Sequence, residues 1–261
     1  MGPGLDGRFG PWRDEPDGAG VLLDFDGTLA DIVEDPEAAR LVHGAEPVLA
    51  RLARRYRLVA MISGRPAGFL AHAVDVPGVE RWGSYGLDRV APGGHVVVDP
   101  AAAEWREQVA SVVEAANAAR PDGVTVEDKG TSVTLHVRRA PQHAAWVHAF
   151  AAQQADRTGL AVYDAKMSVE LRPPLAVDKG TVVARLIEGA SLRAACFVGD
   201  DLGDLSAFRA LDAAAVAVRV AVRSAESPRA LLEAADVVVD GPSGALALLA
   251  QLADLGRLTG R

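Results

Sequence analysis

The segment Leu22-Leu23-Asp24-Phe25-Asp26-Gly27-Thr28-Leu29 places two carboxylates at i and i+2 directly after an apolar run. Alternate residues of a strand point to one side, so Asp24 and Asp26 can project together from the strand's end. Gly27 permits a sharp turn that a Cβ would hinder. Such a pair can hold a cation and move a phosphoryl group, or it can be a solvated acidic turn. Three distant segments bear on the choice. Ser63-Gly64-Arg65 offers a hydroxyl and backbone N–H groups able to bind a phosphoryl oxygen, or an ordinary turn and helix start. Lys179-Gly180 opens a helix, where the macrodipole favours anions over a lysine. A phosphate bound nearby would account for that placement, and so would a solvated lysine. Gly199-Asp200-Asp201-Leu202-Gly203-Asp204 sets three carboxylates after a strand. Oxygen donors at that density suit Mg2+, and Asp204 also reads as the N-cap of the following helix.

The elements that must carry these residues follow from the hydrophobic pattern. Val21–Asp24, Leu58–Ile62 and Ala194–Val198 read as strands ending at the segments above. Further apolar segments lie at Ala214–Val218 and Asp236–Val239. Ala45–Tyr56 reads as a helix with Val48, Leu49 and Leu52 on one side. Alternation of strand and helix predicts an α/β fold, a parallel sheet with helices on both faces. Ligands in such sheets bind at the carboxyl ends of the strands, where these motifs fall.

The middle third reads differently. A hairpin over Arg89–Val98 turns at Pro92-Gly93-Gly94. Helices are predicted over Ala101–Ala119 and Gln142–Arg157, and strands over Val124–Lys129, Ser132–Arg138, Leu160–Tyr163 and Met167–Leu171. Together they make an inserted α+β domain. In its strands Val124/Val126, Val133/Leu135/Val137 and Met167/Val169/Leu171 alternate with polar residues. One face should therefore lie under the helices while the other is rich in hydrogen-bonding groups. That face is either an ordinary solvated surface or a polar lid suited to a sugar, whose hydroxyls need partners on desolvation.

Bulk properties narrow the class. The 261 residues are 49% hydrophobic and 24% charged, as in a globular protein with a substantial core. A net charge of −8, with no basic stripe, argues against nucleic acid as a partner. No apolar run approaches the roughly 20 residues of a membrane span. The Gly/Pro-rich, charged segment 1–19 has no apolar stretch of the secretory kind and predicts a flexible leader. One cysteine, Cys196, excludes an intrachain disulfide and predicts a cytoplasmic setting. A monomer is favoured.

The ordered set Asp24/Asp26, Ser63, Lys179, Asp200/Asp204 resembles the motifs of the haloacid dehalogenase superfamily. Within it, Tyr85-Gly86-Leu87, Glu127-Asp128-Lys129, His136-x-Arg138 and Glu170-x-Arg172-Pro173 look like the trehalose-6-phosphate phosphatase family. The resemblance runs from about Val21 to the C-terminus. It implies a Rossmann-like core (20–87 and 174–261) carrying a cap (88–173), and Mg2+-dependent hydrolysis of trehalose 6-phosphate. It further implies Asp24 as nucleophile and Asp26 as general acid/base. Ser63 and Lys179 would stabilise the phosphoryl group. Asp24, the Asp26 carbonyl, Asp200 and Asp204 would serve the metal. Gly64, Arg65, Glu127, Lys129, His136, Arg138 and Glu170 would bind substrate, with Glu127, Lys129 and Glu170 on the distal glucose. Leu205 stands where many members have Glu, and Tyr85 where some have His. Two alternatives stay open: another sugar phosphate as substrate, such as sucrose phosphate or a glucosylglycerate phosphate, and a silent binding or regulatory homologue.

Overall fold

The computed structural model describes residues 7–33, 36–165, 167–225 and 227–256. In chain order the elements begin with α1 (Gly10–Asp14), β1 (Ala19–Leu23), α2 (Ala45–Arg55), β2 (Leu58–Ile62) and α3 (Ala67–Ala73). Next come β3 (Val79–Gly83), β4 (Asp88–Val90), β5 (Val96–Val98), α4 (Pro100–Ala103) and α5 (Arg106–Ala119). Then follow β6 (Thr125–Asp128), β7 (Val133–His136), α6 (Ala144–Thr158), β8 (Ala161–Ala165) and β9 (Ser168–Arg172). The chain closes with α7 (Lys179–Gly189), β10 (Ala194–Gly199), α8 (Asp204–Ala210), β11 (Val216–Arg223), α9 (Arg229–Ala234), β12 (Val237–Asp240) and α10 (Gly241–Asp254). The molecule divides into two units, residues 1–95 with 177–261, and residues 96–176.

Among the described residues the larger sheet has eight strands in the order β12-β11-β10-β1-β2-β3-β4-β5. Pairing is parallel from β12 to β3 and turns antiparallel at β4. Each central strand splits its side chains between two cores. Val21, Leu23, Val59, Met61, Cys196 and Val198 face one way, with α2 and α10. Leu22, Ala60, Ile62, Ala195 and Phe197 face the other, with α7, α8 and α9. Burial on both faces is why these strands read as unbroken apolar runs. Cys196 is a core residue whose thiol burial pushes up to about 12. The order reverses at β1: the chain proceeds to β2 and β3 on one side and to β10, β11 and β12 on the other. The β1, β2 and β10 ends therefore meet at a topological switch point.

The hairpin β4–β5 differs from its reading as the start of the insert, because β4 continues the larger sheet. The boundary between the units falls within it, after His95. The smaller unit has a four-stranded antiparallel sheet, order β6-β7-β9-β8. Val133, Leu135, Val169 and Leu171 pack against Val109 and Val112 of α5 and Val147 and Phe150 of α6. Met167 does not join that apolar face: it sits in the β8–β9 turn at φ 56 and is exposed. The helix predicted over Ala101–Ala119 breaks at Glu104–Trp105. Asp99 caps the start of the first piece by accepting from the Ala101 N–H at 2.9 Å.

From Gly7 onward the segment 1–19 is not a loose leader, while Met1–Asp6 lie outside the described residues. Phe9 and Trp12 are buried and meet edge to face at 5.2 Å. The Trp12 indole N–H donates to the Gly20 carbonyl at 3.1 Å, tying this segment to β1. The Gly/Pro composition masks two large aromatics at i, i+3, which one helical turn brings to the same side. β11 likewise outruns its predicted extent. Arg219 interrupts the apolar pattern yet points outward to Asp212 and Asp236, while Val218, Val220 and Val222 stay buried. Among the described residues no helix is long and apolar enough to cross a membrane.

Candidate active site

β1 ends with the Asp24 N–H donating to the Val198 carbonyl of β10 at 2.9 Å, so the ladder fixes the backbone of this aspartate. Phe25 turns into the core and Asp26 emerges half-buried. Gly27 takes φ +69, and a Cβ there would lie 2.0 Å from Asp200 Oδ2. The glycine thus permits both the turn and the approach of the β10 carboxylate.

β2 ends at buried Ser63, whose N–H donates to the Trp82 carbonyl at 2.9 Å. Ser63 Oγ accepts from the Arg65 N–H at 3.2 Å. The Arg65 guanidinium forms a bidentate pair with Asp26, at 2.8 and 2.7 Å, and lies 4.9 Å from the Phe69 ring centroid. The Ser63–Arg65 loop is clamped by the turn at Ser84–Gly86. Ser84 N–H donates to the Arg65 carbonyl at 2.8 Å and Tyr85 N–H to the Ser63 carbonyl at 2.9 Å. Ser84 and Tyr85 take φ 47 and 59, a conformation uncommon for side-chain-bearing residues. The Tyr85 ring covers Gly64 so closely that a Cβ there would be 2.7 Å from it. Tyr85, assigned no chemistry from sequence, thus holds the phosphate-loop candidate in shape. Asp88 completes the clamp by accepting from the Ala67 N–H at 3.2 Å with either oxygen. Sequence reasoning missed Asp88, which stands in the short, charged strand Asp88-Arg89-Val90 with no local pattern to mark it. Burial pushes its carboxyl up to about 6.

α7 begins at Lys179 with a capping box between Asp178 and Thr181. Lys179 is buried, its Nζ 2.9 Å from Asp24 Oδ1 and 2.6 Å from Asp204 Oδ1. This double carboxylate partnership offsets the macrodipole's opposition to a lysine at that position. Asp204 is not the N-cap of α8. Gly203 holds that position, and Asp204 Oδ2 reaches back to accept from the N–H groups of Asp200 at 2.8 Å and Asp201 at 3.0 Å.

Asp24, Asp200 and Asp204 offer carboxylate oxygens within 4.8 Å of one another. Burial drives the Asp24 carboxyl well above the usual carboxylate range; Lys179 opposes this, and Asp204 and Asp200 add to it. Asp200 is pushed up to about 7, by burial first and then by repulsion from Asp204 and Asp201. Burial also raises Asp204, against Lys179. Burial alone would lower Lys179, but Asp204 and then Asp24 outweigh it and hold the ammonium well above its usual range. One lysine against three buried carboxylates leaves the site short of positive charge. All-oxygen donors at this density fit a hard divalent cation such as Mg2+. Asp26 stands apart from this set, its carboxylate engaged by Arg65.

In the smaller unit Glu127 Oε2 and His136 Nε2 are 2.7 Å apart. Glu170 Oε1 accepts from Ser132 Oγ at 2.7 Å and lies 3.4 Å from Lys129 Nζ. The sheet thus brings Glu127 and His136, and Lys129 and Glu170, into two polar pairs. Arg138 falls beyond the end of β7 and is exposed. Ser132 was missed by sequence reasoning, although its alternation with Val133 placed it on the polar face.

The sequence matches the trehalose-phosphatase family profile over residues 22–236. A trehalose-phosphate phosphatase of Mycobacterium avium is 37% identical over 248 residues, covering 90% of this chain and 62% of that protein. One of Mycobacterium tuberculosis is 35% identical over 205 residues, covering 72% of this chain and 50% of that protein. The chain thus spans about half to three fifths of the length of these relatives. Among solved structures, the C-terminal domain of Candida albicans trehalose-6-phosphate phosphatase superposes with a TM-score of 0.76 at 23% identity, covering 97% of this chain and 98% of that one. A haloacid dehalogenase-like hydrolase of Bacteroides thetaiotaomicron gives 0.64 at 16% identity, over 88% and 98%. At those identities the likeness concerns the fold, a haloacid dehalogenase-type core with an inserted α+β unit.

Proposed function

Because this chain belongs to the trehalose-phosphatase family, we propose that it hydrolyses trehalose 6-phosphate to trehalose and phosphate through an aspartyl-phosphate on Asp24. The observation that carries the reading is the buried Lys179 Nζ held 2.9 Å from Asp24 Oδ1 at the end of β1. A carboxylate fixed there by backbone and ammonium is oriented to attack a phosphorus atom. Asp24 Oδ forms the new P–O bond as the sugar oxygen leaves, and Asp26 supplies the proton that oxygen takes up. Asp26 then accepts a proton from the water that cleaves the acyl phosphate, returning Asp24 and releasing phosphate.

Ser63 Oγ and the loop amides bind the phosphoryl oxygens, and Lys179 offsets their charge. Arg65 has two parts to play. A phosphate group arriving at Ser63-Gly64-Arg65 competes with Asp26 for the guanidinium and frees Asp26 to face the leaving oxygen. Asp24, the Asp26 carbonyl and Asp200 would hold Mg2+. Asp204, its oxygens committed to Lys179 and two N–H groups, would reach the ion through water. When bound, the cation supplies positive charge against the transferring phosphoryl group.

The polar face of the smaller unit supplies the sugar contacts, with Glu127, Lys129, His136 and Glu170 exchanging internal partners for hydroxyls. Arg138, by its exposed position beyond β7, belongs at the margin of this set. A cytoplasmic enzyme is part of the same proposal and rests on the single cysteine. The covalent step is tested in the wild type with substrate made chiral at phosphorus: two successive in-line displacements predict that the released phosphate retains its configuration. Inversion of configuration, the result of one direct attack by water, would refute the covalent route.

A further inference from the structure

We propose that the Thr134 hydroxyl is a further sugar-contacting, specificity-determining group, an inference that rests on the sugar-phosphate reading above. Cross-strand register sets Glu127, Thr134, Glu170 and Tyr163 side by side across four strands. Residues so paired share one face of the sheet, so Thr134 lies between the two glutamates assigned to the sugar. Its polar neighbours have internal partners: His136 for Glu127, and Ser132 and Lys129 for Glu170. Thr134 does not. It is 3% exposed, and its Oγ1 has no hydrogen-bond partner among the described residues.

A hydroxyl that is neither wet nor bonded costs stability, whereas valine has the same shape without that cost. Valine also suits a β-strand backbone. A purely structural role would be better served by valine at 134, so the hydroxyl points to a ligand group. The flanking carboxylates define its class. Carboxylates on both sides, one beside Lys129 and one beside His136, can accept from hydroxyl donors, and with the Thr134 hydroxyl between them they suit an uncharged ring rich in hydroxyls. A sugar hydroxyl that draws Glu127 and Glu170 from His136 and Ser132 uncovers Thr134 and pairs with it.

The test uses the full chain with Thr134→Val and Thr134→Ser, measuring thermal unfolding and kcat/KM for trehalose 6-phosphate and for p-nitrophenyl phosphate. Thr134→Val should lose roughly tenfold on the sugar phosphate and stay within about twofold on the small substrate. Its Tm should equal or exceed that of the wild type, and Thr134→Ser should recover most of the sugar-phosphate activity. Wild-type kcat/KM on the sugar phosphate in Thr134→Val would overturn the proposal. So would equal losses on both substrates with a lowered Tm. A wild-type protein inactive on trehalose 6-phosphate would instead overturn the functional reading itself, and this proposal with it.

Discussion

Lys179 is the residue on which the site balances. It is the ammonium that faces both Asp24 and Asp204, and all three side chains are buried. Removing one member of such a set leaves charges without compensation, which typically costs about 3–5 kcal/mol. Lys179→Met should therefore unfold at a lower urea concentration and lose turnover together. Saturating Mg2+ should return part of the stability, because an ion bound to the folded site alone favours that state. Unchanged stability and activity in Lys179→Met would show that the carboxylates are not held as described. Arg65 shows the limit of residue types read singly. Ser-Gly-Arg announces a phosphate loop, but nothing in that triplet reveals that its arginine grips Asp26, 39 positions away.

At the scale of elements, the site depends on how firmly the loop after β2 is held, and Asp88 on β4 is its most telling anchor. Its folded pKa of about 6 stands above an ordinary 3.8 because burial penalises the charge. The sign follows: the folded state keeps the proton longer, so the stability this group contributes is fully present below 3.8 and is lost as pH rises through 6. The difference is worth about 3 kcal/mol. Asp88→Asn should flatten the stability profile between pH 4 and 6 and unfold no more easily than wild type at pH 7.5. Urea midpoints across that range check this; identical slopes in the two proteins would contradict it. The buried parallel strands were legible because burial on both faces leaves unbroken apolar runs. The elements after β3 were less so. β4 and the Ser84–Gly86 turn carry polar residues whose partners lie on other elements, and local pattern does not report such partners. Phe9 and Trp12 went unread for a related reason: turn-forming neighbours hid their helical spacing. Asp204 read as a cap because spacing after a strand suggests one, whereas its partners come from α7 and the preceding loop.

For the whole molecule, the order of strands explains why residues from 24 to 204 make one site. β1 lies between β2 and β10, so the ends that carry Asp24, Ser63 and Asp200 converge at the point where strand order reverses. The insert contributes a sheet whose apolar side is spent on its helices, leaving a polar side to which the proposal assigns the sugar. The alternation that displays this face was legible in sequence. Which of its groups pair internally was not, since that depends on register between strands. The central claim is that one polypeptide joins an Asp24-centred phosphoryl site to recognition of a disaccharide. It is tested most directly by phosphate release from the purified chain with Mg2+ across trehalose 6-phosphate, sucrose 6-phosphate, a glucosylglycerate phosphate and glucose 6-phosphate, with Asp24→Asn as control. Trehalose 6-phosphate should give the highest kcat/KM, and Asp24→Asn should release no phosphate from any of them. A higher kcat/KM on another sugar phosphate, or turnover surviving in Asp24→Asn, would contradict the account.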